Sequence, residues 1–388
     1  MSDPSPKRVP WLRYFAVALE TVYDAVHRLL ARITGRLGKP MTAEIYHVIE
    51  HRHGIAIRGR VLLTPQWRRP RAKDSALVNL IQMLKRWATP ERPFSLVRVS
   101  AGGRAIEQRA DREAYFDILL PLSEALHDEI LIELPESEIS EPAHHGIRRP
   151  GPGAKCLIIS DVDDTVLVTH VAKVFTMLAT TFFGNALTRQ LFPGASHLYR
   201  AIRRGPDAEH DHKNPLVYVT SSPWNLHGLL HLIFKENGLP SGAFFMTDWG
   251  LEPDQWFRKS HREHKIESIN EALTWYPELP VILLGDSSQY DTSAYIQVAL
   301  AHPGRIAQIL IRDVTGPGRL ERFNGDIEKL KDSGTRFGFF AESDEAALLL
   351  QEAGWICQAQ VDNVSEAVEF GHRSLFQILS DAHQDANG

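Results

Sequence analysis

At 388 residues the chain is too long for one ordinary core, and two or three domains are expected. Apolar residues make up 43% and charged residues 23%, the balance of a globular chain rather than a disordered one. The formal net charge of −5 argues against a chain devoted to nucleic acid, and two cysteines, Cys156 and Cys357, leave no room for a disulfide framework and fit a reducing, cytosolic compartment.

The first expected element is an amphipathic helix from Trp11 to Leu37. Leu12, Phe15, Leu19, Val22, Val26 and Leu29 recur at three- and four-residue steps, with Arg13, Glu20, Asp24 and Arg28 on the other side. Such a stripe suits a protein partner, and its basic face would also suit an anionic membrane surface. Transient peripheral contact is the most that follows. The uncharged run Val174 to Thr188 falls short of the roughly 20 apolar residues of a span and is broken by Gly184 and Asn185. The charges at Arg13, Glu20 and Asp24 interrupt what would otherwise be a signal-peptide core.

From Met41 to Leu134 the period shortens. Ile55, Ile57, Gly59, Val61 and Leu63 alternate with other residues, and Ile130 and Ile132 do the same. Turn signals at Ala101-Gly102-Gly103 and Asp111-Arg112-Glu113 then predict a small β-sandwich, with a helix around Ser75 to Trp87 inserted. Prolines 142, 150 and 152 and glycines 151 and 153 predict a linker. The expected organisation is a helix over 1–40, a sandwich over 41–135, a linker over 136–154, an α/β domain over 155–377 and a polar tail over 378–388.

Beyond the linker, short continuous apolar runs at Cys156–Ile159, Leu216–Val219, Val281–Leu284, Ile309–Ile311 and Phe337–Phe340 alternate with helical stretches such as Leu226–Asn237 and His261–Trp275. Runs buried on both faces predict an α/β fold, a parallel sheet with helices on both sides. A further helix is expected near Ser343–Glu352. Ligands of such sheets bind beyond the carboxyl ends of the strands. There the sequence reads Ser160-Asp161-Val162-Asp163-Asp164-Thr165, Thr220-Ser221-Ser222-Pro223-Trp224 and Gly285-Asp286-Ser287-Ser288-Gln289-Tyr290-Asp291, with Lys265 ahead of the third strand.

Carboxylates held close together raise one another's pKa unless a cation offsets them, and Mg²⁺ prefers oxygen donors of this kind. A carboxylate facing a phosphoryl group can act as nucleophile, and a second acid two residues on can serve as general acid and base. Hydroxyls and a lysine would hold the remaining phosphoryl oxygens. The histidines at 144–145, 210–212 and 261–264 lack zinc-site spacing and read as surface residues. Pro223-Trp224 reads equally as a substrate wall or as a helix entry with a packed tryptophan.

These motifs, in this order, resemble the haloacid dehalogenase superfamily of phosphotransferases. Their wording is similar to the catalytic domain of actin-patch-type phosphatidate phosphatases and their bacterial relatives. Arg58-Gly59-Arg60-Val61 and Glu113-Ala114-Tyr115-Phe116 are similar to the region preceding that domain in bacterial members. The resemblance implies a Rossmann-like sheet with a small cap insertion, here containing Val174, Phe175, Phe182 and Phe183. It implies Asp161 as nucleophile and metal ligand, and Asp163 as general acid/base with its backbone carbonyl on the metal. Thr220 and Ser221 would bind phosphoryl oxygens, and Lys265 would steady nucleophile and phosphate. Asp286 would complete the metal site, with Asp291 a further ligand or its support and Ser287 a support of Asp286. Ser288 stands where the family usually has glycine. Asp164 falls outside the superfamily pattern and reads as a cap of the following helix or as a residue orienting Asp163. The implied activity is Mg²⁺-dependent hydrolysis of a phosphomonoester, foremost phosphatidate to diacylglycerol. A soluble phosphoester or phosphoprotein substrate, and an idle docking scaffold, are the other two readings.

Overall fold

The computed structural model describes residues 41–63, 91–122, 128–137, 142–162, 191–207, 210–224, 227–247, 261–287, 290–314 and 323–385. The expected N-terminal helix, the helix at Ser75–Trp87, the Val174–Phe183 insertion and Asp163 to Thr165 lie outside them.

The first part of the chain forms two antiparallel sheets. Strands β1 (Met41–His51), β2 (Gly54–Leu63) and β5 (Tyr115–Leu120) make one, in the order β1-β2-β5. Strands β3 (Leu96–Ala101), β4 (Arg104–Arg109), β6 (Glu129–Glu133) and β7 (Ala143–Gly146) make the other, in the order β4-β3-β6-β7. Period-two patterning explains the pairing. In β5, Phe116, Ile118 and Leu120 are buried while Asp117 and Leu119 face solvent. They join Ile57 and Val61 of β2, Val97 and Val99 of β3, and Ile130 and Ile132 of β6 in one apolar cluster.

Strand β7 falls within the stretch 136–154 expected as linker. Its sequence, Ala-His-His-Gly, carries no large apolar side chain, so no hydrophobic periodicity could flag it. Backbone pairing with β6 holds it at the sheet edge, and His144 and His145 belong to that edge strand.

The second part is a six-stranded parallel sheet in the order β10-β9-β8-β11-β12-β13, which establishes the α/β class. Its strands are β8 (Leu157–Asp161), β9 (Leu216–Pro223), β10 (Ala243–Thr247), β11 (Val281–Asp286), β12 (Ile306–Arg312) and β13 (Arg336–Phe340). Helices α1 (Ala195–Arg204), α2 (His227–Glu236), α3 (His261–Trp275), α4 (Asp291–Ala301), α5 (Asn324–Asp332), α6 (Ser343–Glu352) and α7 (Gln358–Asp385) complete it. Two apolar clusters cover its faces, one around Ile158, Ile282, Leu284 and Leu310, the other around Leu157, Ile159, Leu283 and Ile309. The chain runs outward through β8, β9 and β10, then returns to the far side of β8 with β11. That reversal is a topological switch point, where a crevice opens between the strand ends.

Two elements differ from the sequence expectation. Strand β10 is aromatic rather than aliphatic, and its run Ala-Phe-Phe-Met is short. Helix α7 continues to Asp385, past the point where a polar tail was expected. Val361, Val364 and Val368 anchor its upstream turns.

Strand β1 belongs to both parts. Val48 lies in the cluster between the antiparallel sheets, Tyr46 in the cluster on one face of the parallel sheet, and Ile49 in the cluster on the other. The Tyr276 hydroxyl donates to the Glu50 carbonyl at 2.9 Å, and the Arg52 N–H to the Trp275 carbonyl at 3.2 Å.

Candidate active site

Register places the acids. Asp161 ends β8 opposite Val219 of β9, so Thr220 extends one residue beyond it. Leu284 of β11 pairs with Ser160, which brings Asp286 to the same sheet edge. These are the strands that flank the switch point. Asp161, Asp286 and Thr220 are all buried, as is Lys265 in the second turn of α3.

The Lys265 ammonium donates to Asp161 Oδ1 at 2.7 Å and also to Asp291 Oδ1. Asp291 opens α4, where the positive end of the helix dipole favours a carboxylate. Its Oδ2 accepts the backbone N–H of Asp286 at 3.3 Å. Burial opposes the Lys265 charge, but Asp161 and Asp291 outweigh it and its pKa is raised. Burial pushes Asp291 up to about 6 despite the attraction of Lys265, with the Asp286 charge acting in the same upward direction as burial.

Carboxylate oxygens of Asp161, Asp286 and Asp291 lie within 4.8 Å of one another. Three buried carboxylates against one contacting lysine leave a local excess of negative charge, and all the donors are hard oxygens. A divalent cation such as Mg²⁺ fits this donor set.

Gly285 explains how Asp291 approaches so closely. A Cβ there would come within 2.6 Å of Asp291 Oδ2 and 2.7 Å of the Tyr295 ring. Tyr295, one turn along α4, donates to the Leu284 carbonyl at 2.9 Å and fixes the helix against β11. Ser287, expected to support Asp286, ties the loop to the end of β12. Its hydroxyl lies 3.2 Å from Asp313 Oδ1 and accepts the Val314 N–H at 3.0 Å.

The structure thus brings Asp161, Lys265, Asp286 and Asp291 together and sets Thr220 on the adjoining strand end. Thr220 Oγ1 accepts the Ser222 N–H at 3.0 Å, and Ser221, partly exposed, receives the Thr247 hydroxyl on its carbonyl at 2.6 Å. Asp163 lies outside the described residues. Among those described, the three aspartates are the only clustered metal-ligand set, and the histidines form none.

Sequence reasoning missed Arg312. It pairs in register with Asp286 and is almost completely buried. Its guanidinium donates to the Ala341 carbonyl at 2.6 Å and lies 4.0 Å from the centre of the Phe192 ring. Burial lowers its pKa to about 10, while Tyr199, Glu342 and Asp286 favour its charge. The signal available was a lone arginine ending the apolar run Ile309–Ile311, which reads as an ordinary strand end.

A parallel sheet with acids, a lysine and a threonine gathered at its switch point is the arrangement of a phosphate-handling enzyme. Residues 156–313 match the family described as Phosphatidate phosphatase APP1, catalytic domain. The stretch from β8 to just past β12 is thus similar to a phosphatase catalytic domain of the APP1 type, in line with the motif resemblance.

The chain is 28% identical over 155 residues to the phosphatidate phosphatase APP1 of Saccharomyces cerevisiae, and 27% identical over 164 residues to an uncharacterized protein of Schizosaccharomyces pombe. Each alignment covers 40% of this chain and 25% of the relative, so the chain matches about a quarter of either relative's length. Among solved structures, a carbohydrate acetylesterase from Xanthomonas citri aligns over 78% of this chain and 68% of its own, at 10% identity and a TM-score of 0.28, too low to establish a shared fold.

Proposed function

We propose that this chain is a Mg²⁺-dependent phosphomonoesterase of the haloacid dehalogenase type, acting on phosphatidate or a closely similar lipid phosphate. The observation that carries the reading is the buried group Asp161, Asp286 and Asp291 with Lys265 bonded to two of the three. Asp161, Asp286 and Asp291 would hold the cation, together with the backbone carbonyl of Asp163. When bound, it would offset charge on the carboxylates and on the substrate phosphoryl group.

Asp161 is the nucleophile in this reading. One of its oxygens attacks phosphorus, the ester P–O bond breaks, and the alkoxide leaves as phospho-Asp161 forms. Asp163 donates the proton to that leaving oxygen, then takes one from the water that hydrolyses the acyl phosphate. Lys265 keeps the nucleophile ionised and balances charge on the phosphoryl oxygens. Thr220 and Ser221 bind those oxygens from the neighbouring strand end. A cytoplasmic enzyme reaching lipid through peripheral contact of its N-terminal segment fits the charge pattern there. Among the described residues no helix is long and apolar enough to cross a membrane.

The test is phosphate release from phosphatidate-containing vesicles beside soluble esters, with Mg²⁺ and with chelator. Mg²⁺-dependent release favouring vesicles is the expected result. Release from soluble esters alone would move the substrate to that class. No release from either, with Asp161→Asn indistinguishable from the parent chain, would leave a docking scaffold.

A further inference from the structure

Among the described residues, Tyr46 links the antiparallel part of the molecule to the phosphate edge of the parallel sheet. Pairing of β1 with β2 is regular except between Ile45 and His47, where the register shifts. Tyr46 is the extra residue. A bulge of this kind turns a side chain out of the alternation and re-aims it. Here the ring leaves the sheet and stacks on Trp224, with centroids 4.2 Å apart and planes 19° from parallel. Both residues are buried. Tyr46 also meets His227 of α2 edge-on at 4.9 Å. Behind it Tyr115 of β5 lies 6.3 Å away, with the Arg60 guanidinium 4.5 Å above the Tyr115 ring. A row of rings therefore runs from the antiparallel sheet to the start of α2.

Trp224 directly follows Thr220-Ser221-Ser222-Pro223, and that stretch is irregular. Regular pairing of β9 with β8 reaches Val219, and pairing with β10 shifts register between Phe245 and Thr247 before resuming at Pro223. Contacts that hold the stretch include the Thr220 hydroxyl on the Ser222 N–H and the Thr247 hydroxyl on the Ser221 carbonyl. A further anchor is the Trp224 ring, stacked on Tyr46 next to the point where the ladder resumes. A short off-ladder segment that closes on a stacked aromatic pair takes part of its position from that pair.

We infer that Tyr46 is a positioning residue, which sets the phosphate-binding end of β9 through Trp224 and makes the antiparallel part of the chain a working component of the site. The inference rests on the phosphatase reading for its kinetic consequence. It rests on geometry alone for its structural one.

The experiment uses the full chain with Tyr46→Leu, Tyr46→Phe and a matched control, His51→Leu. His51 stacks on Trp275 at 5.3 Å in the same contact between the two parts, but on a residue that does not adjoin β9 in the chain. The probes are p-nitrophenyl phosphate as substrate and inorganic phosphate as competitive inhibitor. Tyr46→Leu is expected to raise KM and the phosphate inhibition constant about tenfold, with Tyr46→Phe and His51→Leu staying within about twofold of the parent. Hydrogen exchange at the Ser222 amide is expected to accelerate at least about tenfold in Tyr46→Leu alone.

If Tyr46→Leu does not fold, Trp224→Phe, which shortens the stack from the other side, is expected to shift the same quantities in the same direction. Equal kinetic and exchange behaviour in Tyr46→Leu and His51→Leu would overturn the inference and leave the phosphatase reading standing. A parent chain inactive on every ester would sink that reading instead, and the exchange comparison would still decide the role of Tyr46.

Discussion

Two buried regions of this molecule, the switch point and the contact of β1 with the parallel sheet, are organised differently. At the switch point, charge is concentrated: three carboxylates converge, and Lys265 bonds to two of them. Where β1 meets the parallel sheet, the buried contacts are mostly rings, with the Arg58–Glu271 and Arg52–Glu278 pairs beside them. His47, His51, Tyr46, Trp224, Trp275 and Tyr276 meet mainly through rings and backbone carbonyls. Buried like charge is costly without a counter-ion, so the first region suits a cation, whereas the second is held by ring packing. Removing a group from the first should therefore cost chemistry, and removing one from the second should cost position or stability.

The largest expected effect is at Asp161. Asp161→Asn keeps the shape and removes the proposed nucleophile, so phosphate release should fall by about three orders of magnitude or more. Melting temperature should stay within a few degrees of the parent chain. Measurable turnover at a tenth of the parent rate would move the nucleophile elsewhere and dissolve the contrast between the two regions.

Lys265→Met comes next. It leaves Asp161 and Asp291 facing each other without the ammonium, so stability should drop by about 3 kcal/mol or more and activity by about a hundredfold. Denaturant titration with and without Mg²⁺ checks it. Added cation should recover part of the stability, because it can replace the lost positive charge. A loss that ignores Mg²⁺ would mean the acids are satisfied by protein alone.

These residues were legible because chemistry and position coincide in the sequence. Asp161, Thr220 and Asp286 each follow a continuous apolar run, and a buried parallel strand delivers its next residue to the carboxyl edge. The interface was not legible in the same way. Tyr46 sits in an unremarkable polar–apolar stretch, and only the bulge, a property of pairing, turns it toward Trp224. Arg312 was hidden for a related reason: a strand-end arginine usually reaches solvent, and the rings of Phe192 and Phe340 that enclose this one come from distant parts of the chain. Of the even choice at Trp224 between substrate wall and packed ring, the structure shows the packed ring. Strand β7 carried no pattern at all, since its pairing uses backbone groups that every residue has.

Gly285→Ala sharpens the comparison at smaller cost. The added methyl would collide with Asp291 and Tyr295, so either α4 moves or Asp291 rotates. A stability loss of about 1–3 kcal/mol is expected, together with weaker Mg²⁺ binding by calorimetry. Loss of stability with unchanged cation affinity would show that Asp291 supports the site without holding the metal.

The smallest effect belongs to the interface and concerns pH. His47 is buried, and its pKa lies well below the ordinary 6.5, first through desolvation and then through the charges of Arg58, Arg148 and His227; a hydrogen bond with the Phe244 backbone acts in the opposite sense. Packed against Phe245 and Trp275, the ring has little means of stabilising a proton. The unfolded chain binds that proton near pH 6.5, whereas the folded chain does so only at lower pH. Below about 6.5 the unfolded state thus holds more protons, and stability must fall as pH falls. The contribution is fully present above 6.5, and its slope is at most about 1.4 kcal/mol per pH unit for one group. Denaturant midpoints between pH 7.5 and 5 should decline less steeply in His47→Gln than in the parent chain. The carboxylate region has the opposite sign: Asp291, raised from the ordinary 3.8 to about 6 by burial, makes the cation-free chain lose stability as pH rises through about 4 to 6 and level off above. Mg²⁺ should cancel the Asp291 trend and leave the His47 trend untouched, so one titration repeated with and without the cation separates the two regions.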